Sequence, residues 1–369
     1  MADDGLVHGC AVGLQPRCAP MGGRHDRGRR LLRDLQRLRT ADGVDRRVSG
    51  LPRVIEGENN LMSPESSSAL SVRHVATPTG SIAYTVSGSG PPLILVHGLG
   101  GTRNTWGAII PKLARTSTVI AVDLPGHGDS DAPLGDYSPG AQASALRDVV
   151  VGLGLGSASL AGHSLGGGAV MQFAYQFPER TERLVLISSG GLGAEVTPLL
   201  RAATLPGAEV VLSGIARVPS GIARAALDAL VLVPTLMSRE DAAPLADTLV
   251  SMGSKRHRRT FIRTVRTVLD VHGQVLSAQG TLAALAEIPI LIAWGDDDRA
   301  IPPEHYRRAA RRLPHAHTCE LAKAGHFPQE TAPDALAEAM IAFLTSSPAH
   351  AYDEAMWRSR VVLGAPEAR

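Results

Sequence analysis

The sequence contains few of the residues that build disulfide frameworks or metal sites. Three cysteines, Cys10, Cys18 and Cys319, occur in 369 residues. Their number and spacing exclude a disulfide framework and match no zinc-binding pattern, so we expect a reducing compartment and neither a metal nor another cofactor. No apolar run is long enough to span a membrane, and the first residues lack the continuous apolar segment of a secretion signal. We therefore expect a cytoplasmic protein.

Aromatic residues are also scarce. They make up 4% of the chain, against 44% hydrophobic residues in total, so the core has to consist mainly of Leu, Val, Ile and Ala. This composition, with 20% charged residues, is typical of a globular protein. The length of 369 residues allows one large α/β domain with an insertion, or two domains.

Neither sign of charge dominates the chain, whose formal net charge is +2, but the arginines are unevenly distributed. Residues 1–61 contain eleven arginines and no lysine against eight acidic residues, with one short possible helix at 31–38. Such a segment could bind nucleic acid or an anionic surface. The interspersed acids dilute its positive charge. We therefore favour a disordered arm and linker over residues 1–69, or a start at Met62, and expect no nucleic-acid or membrane partner.

The chain is organised around the sequence Gly162-His163-Ser164-Leu165-Gly166. An apolar segment with the pattern of a buried strand precedes it, and apolar residues at helical spacing follow it. A strand, a sharp turn and a helix are the context in which G-x-S-x-G forms a nucleophile elbow. Gly162 and Gly166 leave room for backbone that passes very close to the serine in such a turn. The pattern favours Ser164 as a nucleophile over an incidental serine in a glycine-rich turn.

Apolar segments alternate with helical segments from about residue 70. We predict an antiparallel hairpin and six further strands, at 70–75, 82–86, 92–96, 118–122, 158–161, 183–187, 289–294 and 317–321. Strands that alternate with helices form a parallel sheet covered on both faces. The predicted fold class is therefore α/β, with a mostly parallel sheet and helices on both faces.

The alternation stops after about residue 189. The next ninety or so residues contain helical segments broken by prolines and no clear strand, so we interpret them as a helical cap inserted over the sheet. We expect a short helix near Met356 in the tail. The predicted boundaries are core at 70–189, cap at 190–280, core at 281–346 and tail at 347–369.

A serine hydroxyl needs an adjacent base to take its proton. Of thirteen histidines, His326 is the strongest candidate because it lies between Gly325 and the apolar pair Phe327-Pro328, just after the last predicted strand. His163 adjoins the serine, but neighbouring residues at the end of a strand point to opposite faces. The other candidates lie in glycine-rich turns, which we expect them to shape (His97 and His127), or in polar segments that we expect to be exposed (His305, His315 and His317).

Five stretches at the ends of predicted strands carry a resemblance to a known family. They are HGLGG at 97–101, DLPGHGDSD at 123–131, GHSLGG at 162–167, and WGDDD at 294–298 with AGHFPQE at 324–330. With these motifs, the segment from about Leu70 to Leu344 resembles the α/β-hydrolase family. The resemblance implies an α/β-hydrolase fold and a catalytic triad that runs serine, acid, histidine along the chain. Here this implies Ser164, Asp298 and His326.

Three consecutive aspartates follow Gly295, and their own pattern does not say which of them is the acid. The family places its acid three residues after this glycine, which selects Asp298 and leaves Asp296 and Asp297 as turn residues. Some relatives take the acid from the end of the strand after the elbow helix. That strand ends in two serines here, which disfavours this variant.

The family's oxyanion hole consists of two backbone N–H groups. The resemblance assigns them to Leu165, after the nucleophile, and to Leu99, after Gly98. Epoxide hydrolases of this fold have the pattern H-G-x-P in the same loop and an aspartate nucleophile, and haloalkane dehalogenases also use aspartate. This chain has Gly100 and Ser164 instead, so both activities are disfavoured.

The resulting hypothesis is a metal-free serine hydrolase that acts on a small, partly apolar ester, lactone or activated ketone, with its oligomeric state open. The pattern also resembles cofactor-free haloperoxidase-like enzymes and the carbon–carbon bond hydrolases of aromatic meta-cleavage pathways, although Phe327 replaces a tryptophan common in the latter. A non-catalytic ligand-binding protein on the same fold is an alternative from a different class. Arginines within residues 255–259 could attract a carboxylate substrate, but such a charge run is more typical of a solvated helix face.

Overall fold

The computed structural model describes residues 71–363, apart from 216, 219–221, 223–237, 276 and 279–281. The predicted arm at 1–69 and the predicted helix at 31–38 lie outside the described residues. The tail is described as far as residue 363.

The described residues form an eight-stranded sheet. Its strands are β1 (Arg73–Thr77), β2 (Gly80–Ser87), β3 (Pro92–Val96), β4 (Thr118–Val122), β5 (Ala158–His163), β6 (Thr181–Ile187), β7 (Ile290–Gly295) and β8 (His317–Leu321). Their order across the sheet is β1-β2-β4-β3-β5-β6-β7-β8. The first two pairings, β1 with β2 and β2 with β4, are antiparallel, and the other five are parallel. This confirms the predicted α/β fold class, and each strand overlaps the segment predicted for it.

Helices follow the strands along the chain. They are α1 (Ile110–Leu113), α2 (Pro139–Gly152), α3 (Leu165–Gln176), α4 (Pro198–Ala202), α5 (Ala208–Ile215), α6 (Ala242–Ser251), α7 (Lys255–Val268), α8 (Glu304–Arg312), α9 (Pro328–Thr331), α10 (Pro333–Ser346) and α11 (Glu354–Leu363). Short 3₁₀ turns lie at Arg103–Trp106, Pro178–Arg180 and Leu282–Leu285. The helix predicted in the tail near Met356 is α11. No helix among the described residues is both long enough and apolar enough to cross a membrane.

The central strands are apolar along their length because both faces of the sheet are covered. In β3, Ile94 and Val96 belong to one cluster of buried side chains, and Leu93 and Leu95 belong to a second cluster on the opposite face. Side chains from α2, α3 and α8 complete the first cluster, and side chains from α1 and α10 complete the second. Since β3 to β8 run parallel, their carboxyl ends meet at one edge, where α/β proteins place their ligand sites.

The stretch predicted to be a cap leaves the sheet after β6 and returns before β7, two strands that are neighbours in the sheet. Its described residues hold α4 to α7 and an isolated bridge between Leu269 and Gln274. We call the described residues between 190 and 280 the lid. Their status as a separate domain stays a prediction.

The charge run at 255–259 lies in the first turns of α7. The prediction of a solvated face is wrong at Arg258, which is 9% exposed. Its guanidinium donates hydrogen bonds to the carbonyl oxygens of Met252 and Gly253, at 2.6 and 2.8 Å. The reason is that this side chain folds back onto the turn between α6 and α7, whose carbonyl groups accept its hydrogen bonds.

Candidate active site

The serine of the predicted elbow lies at the sharp turn between β5 and α3. Ser164 has a φ of 53° and a ψ of −117°, and a positive φ is rare for residues other than glycine. A side chain at Gly162 would overlap the backbone of Gly166, and one at Gly166 would overlap the carbonyl oxygens of Val96 and His97. Strain of about 1–3 kcal/mol at such a position persists only where the surroundings enforce it. Here the close backbone packing does so.

Ser164, His326 and Asp298 come together at the carboxyl edge of the sheet. Ser164 Oγ is 3.0 Å from Nε2 of His326, and Nδ1 of His326 is 3.0 Å from Oδ2 and 3.2 Å from Oδ1 of Asp298. His326 and Asp298 are 5% and 3% exposed. With Nδ1 donating to the carboxylate, Nε2 is free to accept the proton of the serine hydroxyl.

The three consecutive aspartates have different environments. Asp298 faces the histidine, and its Oδ1 also accepts hydrogen bonds from the backbone N–H groups of Ala300 and Ile301, at 3.0 and 2.9 Å. Asp297 pairs with Arg299 at 2.8 Å, and the third aspartate, at position 296, is exposed. The geometry therefore brings the histidine together with the aspartate that the family spacing selects.

Opposing effects act on the imidazole of His326. Burial lowers its pKa, but the charge of Asp298, the hydrogen bond to Asp298 and the charge of Asp241 raise it, and the net result is a pKa above 6.5. The raised pKa makes the neutral ring a stronger proton acceptor. By contrast, burial and the neighbouring His326 hold the pKa of His163 well below 6.5. His163 is therefore neutral, and its Nε2 donates to the carbonyl oxygen of His326 at 2.7 Å.

The two leucines predicted to supply oxyanion N–H groups lie beside the serine. Leu165 is the first residue of α3, where backbone N–H groups have no partner within the helix. Leu99 follows Gly98, and a side chain at Gly98 would meet His163 and Ser164. Both leucines line the same cavity as Ser164. The positive end of the α3 dipole also points to this position.

Buried polar groups hold the HGLGG loop in place. Nδ1 of His97 donates to the carbonyl oxygen of Gly98 at 2.7 Å, and Nε2 accepts from the backbone N–H of Leu124 at 3.0 Å. This tautomer is neutral, and burial lowers the pKa of His97 to about 4. In the next loop, Asp123 binds the guanidinium of Arg103 and accepts from its backbone N–H at 2.6 Å. His97 thus connects the two loops rather than taking part in proton transfer.

A cavity of about 820 Å³ lies beside the serine, between the edge of the sheet and the described part of the lid. Its wall is largely apolar, with contributions from the core and from four helices of the lid. Representative lining residues are Leu99 and Met171 of the core and Leu212, Leu249, Met252 and Phe261 of the lid. The titratable side chains among the described lining residues are Asp241, His163 and His326.

Asp241 is a site residue that sequence analysis does not single out. It is 4% exposed and directly precedes α6. Its carboxylate accepts hydrogen bonds from the backbone N–H groups of His326 at 2.8 Å and Phe327 at 3.2 Å. In the sequence, a serine and an acidic residue at 238–241 before an apolar helix are typical of a helix start, so the local pattern carries no functional signal.

The prediction that His305 is exposed is wrong. The side chain is fully buried, its ring packs against Gly193, and its Nε2 lies 2.8 Å from Oε2 of Glu195. The reason is that His305 lies on the face of α8 that packs against residues 193–195, in the segment that follows β6. His315 and His317 are exposed, as predicted.

The model of the alpha/beta hydrolase fold family matches residues 91–333 of the chain. This range contains all five motifs and the three residues that meet at the carboxyl edge. The chain belongs to the α/β-hydrolase family.

Relatives and solved structures agree with this assignment. An uncharacterised protein of Mycobacterium tuberculosis is 34% identical over 309 residues, which cover 80% of this chain and 90% of the relative. The 2-hydroxy-6-oxo-6-phenylhexa-2,4-dienoate hydrolase of Burkholderia cepacia is 28% identical over 267 residues, which cover 70% of this chain and 90% of that enzyme. A thermophilic esterase of Thermogutta terrifontis has a TM-score of 0.60 at 23% identity, over 74% of this chain and 98% of the esterase. The last likeness shows the fold alone.

Proposed function

We propose that this protein is a serine-dependent carboxylic ester hydrolase that acts on a neutral, largely apolar ester or lactone. The observation that carries the proposal is the series of contacts from Ser164 Oγ to His326 and from His326 to Asp298, at the wall of an apolar cavity. These groups provide a nucleophile, a base, and an acid that orients the base.

His326 acts first as a general base. Its Nε2 takes the proton of Ser164 as Oγ attacks the carbonyl carbon of the ester, and Asp298 stabilises the imidazolium. The oxyanion accepts hydrogen bonds from the backbone N–H groups of Leu99 and Leu165. His326 then gives its proton to the leaving alcohol, and an acyl-serine remains. A water molecule, deprotonated by His326, then attacks the acyl carbon, and His326 returns this proton to Ser164 Oγ as the bond between Oγ and the acyl carbon breaks and the acid leaves.

The charges around the cavity favour a neutral substrate. Asp241 and Asp298 both place carboxylates near His326, and none of the described lining residues is Arg or Lys. A carboxylate on the substrate would therefore meet like charge, which disfavours binding. The guanidinium of Arg258 is bound to carbonyl groups of the lid itself. An apolar acyl chain matches the lining, and the cavity volume of about 820 Å³ is within the range of small-molecule sites.

A carbon–carbon bond hydrolase is the second candidate, and the likeness to the Burkholderia cepacia enzyme favours it. The name of that enzyme gives a 2-hydroxy-6-oxo dienoate as its substrate, and a dienoate carries a carboxylate. The same serine, histidine and aspartate would serve this reaction. We rank it second because of the two carboxylates at the site.

Two measurements test the proposal. The purified protein is first treated with a fluorophosphonate probe, with Ser164→Ala as the control that should lose labelling. Hydrolysis rates are then measured for p-nitrophenyl esters from acetate to laurate and for a 2-hydroxy-6-oxo dienoate. We expect labelling at Ser164 and a higher kcat/KM for acyl chains longer than acetate. Turnover of the dienoate without turnover of esters would support the second candidate, and a folded protein without labelling would be a ligand-binding protein.

A further inference from the structure

The carboxylate of Asp241 connects the lid to the loop that carries the candidate base. This loop, residues 322–327 between β8 and α9, is called the histidine loop. Oδ2 accepts from the backbone N–H of His326 at 2.8 Å, and Oδ1 accepts from the backbone N–H of Phe327 at 3.2 Å. The hydroxyl of Ser238 donates to Oδ2 at 2.6 Å. An aspartate directly before a helix commonly caps that helix, but this side chain points away from α6 to the histidine loop.

The hydrogen-bond donors around Asp241 favour its ionised form. Burial and the charge of Asp298 raise its pKa and leave it above the ordinary value, while the charge and N–H of His326 and the hydroxyl of Ser238 oppose the rise. The two backbone N–H groups can only donate, so a proton on the carboxyl group would cost one of these hydrogen bonds. The carboxylate satisfies all three donors at once.

The histidine loop is shaped to receive this carboxylate. A side chain at Gly325 would overlap the carboxylate of Asp241 and the hydroxyl of Ser238. On another side, Gly295 at the end of β7 lies against the carbonyl groups of Ala324 and Gly325, where a side chain would also overlap. The loop is therefore packed between the sheet and the lid.

Charged and titratable groups face His326 from three elements. Asp298 comes from the loop after β7, Asp241 from the start of α6, and His163 from the end of β5, with its ring centroid 4.9 Å from that of His326. Glu330 of α9 interacts with Asp241 in turn. Two carboxylates therefore act on one imidazole, one from the core and one from the lid.

We propose that Asp241 is a positioning residue for His326: it holds the backbone of the histidine loop and adds a second negative charge that stabilises the imidazolium. The proposal rests on the proposed function, because it takes His326 as the base. Since Asp241 belongs to the lid, a displacement of α6 from the core would withdraw the hydrogen bonds and the charge together.

Asp241→Asn tests the proposal because it keeps the shape of the side chain and removes its charge. Asp247→Asn is the matched control, since it removes an exposed carboxylate from α6, the helix that Asp241 directly precedes. The first readout is the pKa of His326, measured by NMR titration of histidine-labelled protein and assigned with His326→Gln. The second is the rate at which a fluorophosphonate labels Ser164 between pH 5 and 9. Circular dichroism confirms folding.

We expect Asp241→Asn to lower the pKa of His326 and to shift the acid limb of labelling to lower pH, with Asp247→Asn like the wild type. Labelling at pH 8 should slow about ten- to a hundred-fold, because a misplaced base costs rates of this order. An unchanged pKa and acid limb in folded Asp241→Asn protein would overturn the proposal. Slower labelling without a change in pKa would also overturn it, in favour of a purely structural contact.

Ser238→Ala is a second variant in case Asp241→Asn does not fold. It keeps the carboxylate and removes one of its donors, so we expect changes in the same directions and of smaller size. If Ser238→Ala left the pKa of His326 and the acid limb of labelling unchanged, the proposal would be overturned. The pKa is measured without substrate, so a wild-type protein that hydrolyses no ester would contradict the proposed function and leave this contact to be judged separately.

Discussion

The sheet and the lid contribute to one site in different ways. The loops after β5, β7 and β8 carry Ser164, Asp298 and His326, and tight backbone contacts fix the nucleophile. The lid supplies mainly apolar wall. In α5, Leu212 lines the cavity while Val210, two residues before it, is 75% exposed. The difference teaches that loops of the sheet supply the serine, the histidine and the aspartate in contact with it, whereas the described part of the lid supplies apolar wall and the carboxylate of Asp241.

The largest expected effect comes from removing the groups carried by the sheet. Ser164→Ala and His326→Ala should each lower kcat about a million-fold. Asp298→Asn should cost about ten-thousand-fold, because the histidine keeps its place but loses its preferred tautomer. Asp297→Asn is the control, since that carboxylate pairs with Arg299. Single-turnover kinetics on folded variants measure these rates. If Asp297→Asn were the more damaging change, the acid would be assigned wrongly by one residue.

The backbone packing of the elbow gives the next largest effect. Gly166→Ala places a side chain on the carbonyl oxygens of Val96 and His97, which are backbone and have little room to move. We expect a loss of about 1–3 kcal/mol in the free energy of unfolding, as for other overpacked sites, together with loss of activity. Gly135→Ala is the matched control, because an added side chain there meets nothing within 4 Å. Equal urea midpoints for the two variants would show that the backbone around Gly166 has room for a side chain, and that close packing does not fix Ser164.

The sequence predicts the sheet well because its signals are local. Each buried strand is a short apolar run, and the elbow glycines stand next to the serine they accommodate. The choice of Asp298 needs the family spacing, because three adjacent aspartates have the same local pattern. Their different partners are visible only in the folded structure. Asp241 and Arg258 could not be predicted. Asp241 lies 85 positions from His326, and a charge run reveals nothing about the carbonyl groups that the folded lid turns toward Arg258.

The pH dependence of activity tests how two carboxylates, Asp298 of the core and Asp241 of the lid, raise the pKa of the base. Burial lowers the pKa of His326, but Asp298 and Asp241 raise it above 6.5. Because the base must be neutral, kcat/KM should be full above this pKa and fall about tenfold per pH unit below it. The acid limb should therefore lie above pH 6.5 in the wild type and move to lower pH in Asp298→Asn. A wild-type limb below pH 6.5 would mean that burial outweighs the carboxylates.

The smallest expected effect lies in the lid and concerns the length of the acyl chain. Leu249 of α6 lines the cavity, so Leu249→Trp should fill part of the space that a long chain occupies. We expect kcat/KM for the laurate ester to fall about tenfold, in line with the modest discrimination of apolar pockets. The acetate ester and the labelling of Ser164 should stay at the wild-type level. Val210→Trp, at a position 75% exposed in α5, is the control that should change neither ester. If Leu249→Trp lowered the acetate and laurate rates together, Leu249 would act on the catalytic groups and not only on the space for the acyl chain.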